Sequence, residues 1–206
     1  MTLPKIKVSR ISNLQDARYC AAEEVPFLSF SLERGFDRKL SVQTVWNITN
    51  WLEGPEIIIE LNGVSVDELS EASQSMNIRY VSFPIEDWTD ELWDVHDALI
   101  IRAEGNLPLE KAQELLETAD QKGKELRLEI QLAEPEEASK WEALYPKIFL
   151  NFPHVDNVET LINENENYPF GISLNMEIEE EPGMLDYDKT GKVFSLFQEK
   201  LEMLGD

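Results

Sequence analysis

Cysteine and histidine are scarce in this chain of 206 residues, which has one cysteine, Cys20, and two histidines, His96 and His154. A single cysteine excludes an internal disulfide and a zinc site built from several cysteines. The two histidines lie far apart in the sequence, and neither has a second histidine or a clustered acidic pair at ligand spacing. We therefore predict neither a metal site nor a cofactor.

Basic residues are also few, because 18 lysines and arginines stand against 41 acidic residues and give a formal net charge of -23. This balance disfavours nucleic acid and anionic membrane surfaces as partners, since both attract positive charge. It also repels a phosphorylated ligand at long range, although a local basic pocket can overcome the repulsion.

Long hydrophobic runs are absent. No stretch approaches the roughly 18 apolar residues of a membrane span, and the N-terminal MTLPKIKVSR has no apolar core like that of a secretory signal. We expect a cytoplasmic protein without membrane contact. Hydrophobic residues nevertheless make up 42% of the chain, which is enough for a folded globular protein.

Short strand-like runs alternate with helix-period segments along the whole chain, as in repeated β/α units around a parallel sheet. Eight strands are predicted, at 5–11, 27–32, 56–61, 80–85, 98–103, 126–132, 147–152 and 170–176. Helical segments are predicted at 14–23, 41–52, 66–76, 90–96, 109–122, 136–144, 157–163 and 190–204. Eight such units predict a (β/α)8 TIM barrel with short loops, in which residues 1–206 form a single domain. A doubly wound open sheet is the alternative.

Polar residues recur at every second position of several predicted strands. The outer face of a barrel strand lies under helices and is apolar, so these polar side chains should point into the barrel or its mouth. The strand at 126–132 is the clearest case, because Arg127, Glu129 and Gln131 alternate with leucine and isoleucine. The other predicted inward-facing polar residues are Lys5, Lys7, Ser9, Ser29, Ser31, Glu60, Asn62, Ser82, Arg102, Ser173, Asn175 and Glu177.

Two interpretations of this polar interior remain open. Buried charges are costly unless they are paired, so the deeper residues can form internal salt bridges, such as Lys7–Glu129 or Arg127–Glu177, that bind nothing. Barrel enzymes, however, carry their ligand sites at the C-terminal ends of the strands. The residues predicted at those ends are therefore candidates for a site: Ser9, Arg10, Asn62, Arg102, Asn151 and Glu177.

Four segments carry a family resemblance. The chain opens with KVSRIS and continues to Asp16-Ala17; FDRKLS contains Arg38; Leu61-Asn62 ends the third predicted strand; and EEEPGMLDYDK contains the pattern Pro-Gly-x-x-Asp-x-x-Lys. Together, and over nearly the whole chain, these segments resemble phosphoribosylanthranilate isomerase, the tryptophan-pathway enzyme that performs an Amadori rearrangement on a (β/α)8 barrel. The family's opening motif is Lys-Ile-Cys-Gly-Ile-Thr.

The resemblance implies two catalytic positions, and both carry a different residue here. In the family a cysteine at the end of strand 1 is the general base, and an aspartate at the end of strand 6 is the general acid. Ser9 stands at the base position, followed by Arg10 in place of glycine, and Glu129 stands at the acid position. A serine hydroxyl has no accessible anionic form near neutral pH. The extra methylene of glutamate displaces a proton donor by about an ångström.

The family's phosphate-binding glycines are also missing. The loop after strand 6 is the acidic AEPEEASKW, NF at 151–152 replaces a glycine pair, and NME at 175–177 replaces Ser-Ser-Gly. Glycines at these places let backbone N–H groups approach a phosphate, whereas a glutamate repels it. Of the family's substrate contacts only Arg38, which helps to hold the anthranilate carboxylate, is retained.

The sequence leaves three functional hypotheses. The first is an isomerase-like barrel that has lost the isomerisation and binds a small carboxylate or a protein partner, a second copy of itself included. Its predicted ligand-binding residues are Arg10, Arg38, Asn62, Arg102, Arg127, Asn151, Asn175 and Glu177. The second is a divergent but active phosphoribosylanthranilate isomerase. The third is a different enzyme that uses Glu129 or Glu177 as acid or base.

Overall fold

The computed structural model describes residues 3–32, 40–62, 76–165, 167–174, 179–181 and 184–205. Eight parallel strands in these ranges form a closed barrel in sequence order, and the eighth strand pairs with the first. The strands are β1 (Lys5–Val8), β2 (Phe27–Ser31), β3 (Glu56–Glu60), β4 (Ile78–Pro84), β5 (Ala98–Glu104), β6 (Glu125–Gln131), β7 (Ile148–Phe152) and β8 (Gly171–Leu174). The predicted (β/α)8 barrel is confirmed, and closure of the sheet excludes the open alternative.

Helices follow the strands around the barrel. The α-helices in the described ranges are α1 (Leu14–Ala22), α2 (Val42–Thr49), α3 (Leu109–Lys122), α4 (Val155–Glu164) and α5 (Tyr187–Gly205). A short antiparallel pair, β9 (Glu179–Glu181) and β10 (Met184–Leu185), lies between β8 and α5. The helix predicted at 66–76 falls outside the described residues except for its last position.

Two connections are 3-10 helices where α-helices were predicted. Ile85–Asp87 and Asp90–Asp94 join β4 to β5, and Pro135–Lys147 joins β6 to β7. A 3-10 helix rises about 2.0 Å per residue instead of about 1.5 Å, so it returns to the far end of the barrel in fewer residues. Pro146 lies inside the second connection and has no N–H for an α-helical hydrogen bond.

Strand β1 is shorter than the predicted 5–11 because the backbone turns after Val8. Arg10 has a φ of 59°, in the left-handed region, which ends the extended conformation. The chain is held there by backbone hydrogen bonds from Ser9 N to Leu174 O at 2.8 Å and from Ile11 N to Ser29 O at 2.9 Å. The segment therefore leaves the extended conformation while it stays hydrogen-bonded to the two strands that flank β1.

The buried apolar side chains in the described ranges form two separate clusters. The larger cluster fills the space between barrel and helices and includes the outward-facing Val8, Leu28 and Leu128. The smaller cluster lies inside the N-terminal half of the barrel and contains Phe27, Ile58, Tyr80, Ala98, Ile100 and Phe149, with Phe170 packed against it. The alternation predicted from the sequence is confirmed, and the polar interior occupies the barrel above these rings.

Arg127, a predicted ligand-binding residue, lies at the N-terminal end of the barrel and not at the mouth. It pairs in register with Ile100 of the apolar cluster, one inward layer below the pair formed by Arg102 and Glu129. Its guanidinium carbon lies 3.6 Å from the centroid of the Phe170 ring. The period of two gives the face of a strand but not the depth, so the residue faces inward yet belongs to the N-terminal end, away from the mouth.

Candidate functional site at the mouth of the barrel

A cavity of about 220 Å³ opens at the C-terminal ends of the strands. Its described lining residues come from β1 and β3 to β7 and from the turns that follow them: Ser9, Arg10, Glu60, Asn62, Pro84, Glu86, Arg102, Ala103, Glu104, Glu129, Gln131 and Asn151. The residues predicted from the sequence that meet here are Ser9, Arg10, Asn62, Arg102, Glu129 and Asn151. Arg38, Asn175 and Glu177 lie outside the described residues.

Glu60 is the residue on which the charged side chains of the mouth converge. One carboxylate oxygen accepts hydrogen bonds from Lys7 Nζ at 3.1 Å and from Ser29 Oγ at 2.5 Å. The other oxygen lies 3.5 Å from Arg102 Nη1 and 3.7 Å from Arg10 Nε. The side chain is only 2% exposed. Three cations and a hydroxyl therefore surround one buried carboxylate.

These contacts determine the protonation of Glu60. Burial disfavours the charged carboxylate, but the charges of Lys7 and Arg102 outweigh this effect and lower its pKa to about 2. The Ser29 hydroxyl and Arg10 act in the same direction. Glu60 is therefore an anion at every pH near neutrality and fixes the cations around it instead of exchanging protons.

Glu129, at the position of the family's acid, is tied down from both sides. Lys7 Nζ lies 2.6 Å from its Oε2, and Asn151 Nδ2 donates to its Oε1 at 3.2 Å. Lys7 is fully buried and bridges Glu60 and Glu129. The predicted internal pair Lys7–Glu129 is confirmed, and these deeper charges form the internal network that one interpretation of the sequence proposed.

Ser9, at the position of the family's base, contacts another hydroxyl. Its Oγ lies 2.9 Å from Ser173 Oγ, and the side chain is buried. Neither hydroxyl accepts a proton readily, so the pair supplies no general base. The neighbouring Arg10 occupies a left-handed backbone position that a glycine adopts without strain, and its N–H donates to Ser29 Oγ at 3.2 Å.

Among the described residues, Arg10 and Arg102 bring guanidinium groups to the cavity above Glu60. Arg10 is 27% exposed and Arg102 is 16% exposed, so both are accessible from the mouth. Arg102 Nη2 donates to Leu61 O at 2.9 Å, which fixes its planar group against the end of β3. Guanidinium groups bind carboxylates through parallel N–H donors. The arrangement can therefore hold a small anion.

Sequence reasoning recognised Glu60 as inward-facing but did not place it in the site. The available signal was the strand EIIIE, whose last glutamate shares the inward parity of Lys7 on β1.

In the described ranges, no group of three His, Cys, Asp or Glu side chains is placed to hold a metal ion. No helix there has the length and hydrophobicity that crossing a bilayer requires.

The chain belongs to the class of (β/α)8 barrels, and its structural neighbours narrow the comparison. A phosphoribosylanthranilate isomerase in complex with reduced 1-(o-carboxyphenylamino)-1-deoxyribulose 5-phosphate superposes with a TM-score of 0.75 and 14% identity, over 95% of this chain and 96% of that one. The same enzyme from Thermus thermophilus gives 0.72 and 15%, over 95% and 98%. A Thermotoga maritima phospho-2-dehydro-3-deoxyheptonate aldolase gives 0.70 and 12%, over 98% and 70%.

Sequence comparisons add no closer relative. Neither a protein-family model nor a curated protein sequence matches the chain. At identities of 12 to 15% the structural likeness shows the fold alone. The matches to the two phosphoribosylanthranilate isomerases cover nearly the full length of both proteins, whereas the match to the aldolase covers 70% of that enzyme.

Proposed function

We propose that this protein is a divergent barrel of the phosphoribosylanthranilate isomerase type that no longer catalyses the isomerisation and binds a small carboxylate at its mouth. The observation that carries the proposal is the convergence of the Arg10 and Arg102 guanidinium groups on the cavity above Glu60. Neighbouring side chains also contact both groups that would have to move protons in the isomerase reaction, Ser9 and Glu129.

The loss of the reaction follows from the two catalytic positions. Ser9 contacts the hydroxyl of Ser173, which cannot activate it. Glu129 contacts buried Lys7 at 2.6 Å through one oxygen and Asn151 at 3.2 Å through the other, so both of its oxygens are engaged by neighbouring side chains. With a hydroxyl in place of the base and the glutamate held by the internal network, the two positions do not offer the groups that the rearrangement uses.

The size of the cavity supports a small ligand. Pockets for drug-sized molecules measure about 300 to 1,000 Å³, whereas this cavity measures about 220 Å³. The ligand of the isomerase complex combines a carboxyphenyl group, a sugar chain and a phosphate. A carboxylate of a few carbons fits the space better than a ligand of that size.

The charges at the bottom of the cavity support an anionic group. In the part of the mouth that the structure describes, Lys7, Arg10 and Arg102 share two buried carboxylates, Glu60 and Glu129. The planar guanidinium groups suit a carboxylate, which accepts two parallel hydrogen bonds from one of them.

Thermal unfolding with added ligands tests carboxylate binding. Pentanoate, benzoate and anthranilate should raise the melting temperature with increasing concentration, because a ligand that binds only the folded state stabilises it. Arg10→Ala and Arg102→Ala should lose the shift, whereas Lys192→Ala, which removes the same charge from the exposed face of α5, should keep it. No shift with any carboxylate, or a larger shift with inorganic phosphate, contradicts the proposal.

The second candidate is a divergent but active phosphoribosylanthranilate isomerase, which the superposition over 95% of the chain favours. Expression in a bacterial strain that lacks the isomerase distinguishes the two. Soluble protein that fails to restore growth without tryptophan supports loss of the reaction, and restored growth establishes the active enzyme.

The third candidate is a different enzyme with Glu129 as acid or base, because this carboxylate lines the cavity. Glu129→Gln separates it from a binding role. The variant should still be stabilised by carboxylates if the site only binds, whereas a different enzyme would lose turnover of its substrate.

A further inference from the structure

The cavity carries charges of opposite sign at two levels. Arg102 and Glu104 lie on the same face of β5, two residues apart, and Glu104 is the one nearer the rim. Pro84 pairs in register with Arg102, and Glu86 follows Pro84 by two residues. Glu86 and Glu104 are exposed, whereas Arg102 is largely buried. Two carboxylates therefore stand at the rim above the guanidinium groups.

This layering disfavours a simple anion. A carboxylate that reaches Arg10 and Arg102 passes Glu86 and Glu104, and it approaches a chain with a formal net charge of -23. Like charges repel within the Debye length of about 10 Å at 0.1 M salt. A ligand with no net charge avoids the long-range repulsion, and one with a cationic end gains an attraction at the rim.

We propose that the ligand is a small zwitterion, whose carboxylate is held by Arg10 and Arg102 and whose ammonium group faces Glu86 and Glu104. The inference rests on the proposed function, because it takes the carboxylate site as given and adds a cation site above it. The two carboxylates and the two guanidinium groups line the same cavity of about 220 Å³.

The spacing along β5 indicates the class of zwitterion. A parallel strand rises about 3.3 Å per residue, so positions two residues apart are separated by about 7 Å. An α-amino acid holds its two charges closer together than this, whereas an ω-amino acid of four or five carbons spans a distance of this order. Straight-chain ω-amino acids are therefore the class that fits the two levels.

Three probes of similar length test the inference: γ-aminobutyrate has both charges, pentanoate replaces the ammonium by a methyl group, and butylamine replaces the carboxylate by a methyl group. Titration calorimetry at low salt should show γ-aminobutyrate binding about fivefold more tightly than pentanoate, since exposed ion pairs are weak. The difference should shrink in 0.5 M NaCl because salt screens exposed charges.

Two double variants assign the difference to the rim. Glu86→Gln/Glu104→Gln should bind γ-aminobutyrate and pentanoate equally, while its affinity for pentanoate is unchanged or increased. Glu114→Gln/Glu159→Gln removes the same charge from exposed positions on α3 and α4 and should preserve the fivefold preference.

The outcomes separate this inference from the proposed function. If wild-type protein binds pentanoate as tightly as γ-aminobutyrate, the zwitterion is wrong and the carboxylate site stands. If butylamine binds as tightly as γ-aminobutyrate, the guanidinium groups contribute nothing and the zwitterion is also wrong. If neither pentanoate nor γ-aminobutyrate binds, the carboxylate site and the zwitterion fall together.

Discussion

At its N-terminal end the barrel is filled by aromatic rings, whereas at its C-terminal end it is filled by charges that pair with one another. Phe27 and Phe149 meet edge to face with ring centroids 5.7 Å apart, and Lys5 lies 5.0 Å from the ring of Phe170. Aromatic packing of this kind stabilises a fold directly. Buried ion pairs are weak evidence for stability, because desolvation opposes their attraction. The difference indicates that the aromatic end contributes packing energy, whereas the paired charges of the mouth suit the binding site that we propose.

The largest effect should come from the cation at the centre of the mouth. Lys7→Met leaves the buried carboxylates Glu60 and Glu129 without their shared partner, and breaking a buried pair costs about 3 to 5 kcal/mol. The free energy of unfolding, measured in urea, should fall by this amount. The triple variant Lys7→Met/Glu60→Gln/Glu129→Gln should recover part of it, because the two buried carboxylates left without Lys7 are then neutral. A triple variant as unstable as the single one would show that packing of the lysine stem dominates.

The next effect is the pH dependence that Glu60 contributes. Its pKa is lowered from 4.5 to about 2 in the folded protein, so the ionised group stabilises the fold above its unfolded pKa. That stabilisation, about 3 kcal/mol, should be lost as the pH falls from about 5 to about 2. Unfolding in urea between pH 7 and pH 3 should show a smaller difference between wild type and Glu60→Gln at the acid end.

The exposed Glu114→Gln provides the control for this measurement, since it should follow the wild-type profile throughout. A difference between wild type and Glu60→Gln that stays constant with pH would show that the contacts of Glu60 do not lower its pKa.

At the aromatic end, Gly171 is the sensitive position. A Cβ atom added there would lie 2.4 Å from Cε1 of Phe149 and 2.7 Å from the carbonyl oxygen of Lys5. Gly171→Ala should cost about 2 kcal/mol through overpacking, and adding Phe149→Leu should recover part of the loss. Ligand binding at the mouth should be unchanged. Gly191→Ala on α5 is the control, because alanine favours a helix interior. A large loss of carboxylate binding in Gly171→Ala would mean that the two ends are coupled.

The smallest effect concerns the backbone of Arg10. Arg10→Ala and Arg10→Gly both remove the guanidinium group, but only glycine adopts the φ of 59° without strain. The free energy of unfolding should therefore be about 1 kcal/mol higher for Arg10→Gly than for Arg10→Ala. Equal stabilities in urea would mean that the turn relaxes when the side chain is shortened.

The barrel could be predicted from the sequence because the alternation of apolar and polar residues along a strand shows which side chains face the helices and which face the interior. The alternation of apolar and polar residues predicts that Leu126 and Leu128 point outward and that Arg127 points inward. The structure confirms this prediction. The height of a side chain along the barrel, and the side chains that it meets across the interior, depend on closure of the barrel. Closure brings β1, β3 and β6 together across the interior. Arg127 was therefore predicted to bind ligand although it lies at the N-terminal end, and Glu60 was predicted to face inward but not to be a site residue. The 3-10 helices were not predicted because the spacing of hydrophobic residues does not show how long a distance a short connection must span.

The bridge that Lys7 makes between Glu60 and Glu129 has a mechanical consequence. It spans from β1 to β3 and to β6, which are not neighbours in the sheet, and Ser29, Arg102 and Asn151 attach β2, β5 and β7 to the same network. Hydrogen bonds between adjacent strands keep a ring closed but leave its cross-section free to flatten. A brace through the middle sets the diameter. The described strands are therefore linked to one another across the interior at the mouth, and the ligand that we propose would enter a site whose charged groups are already held in place.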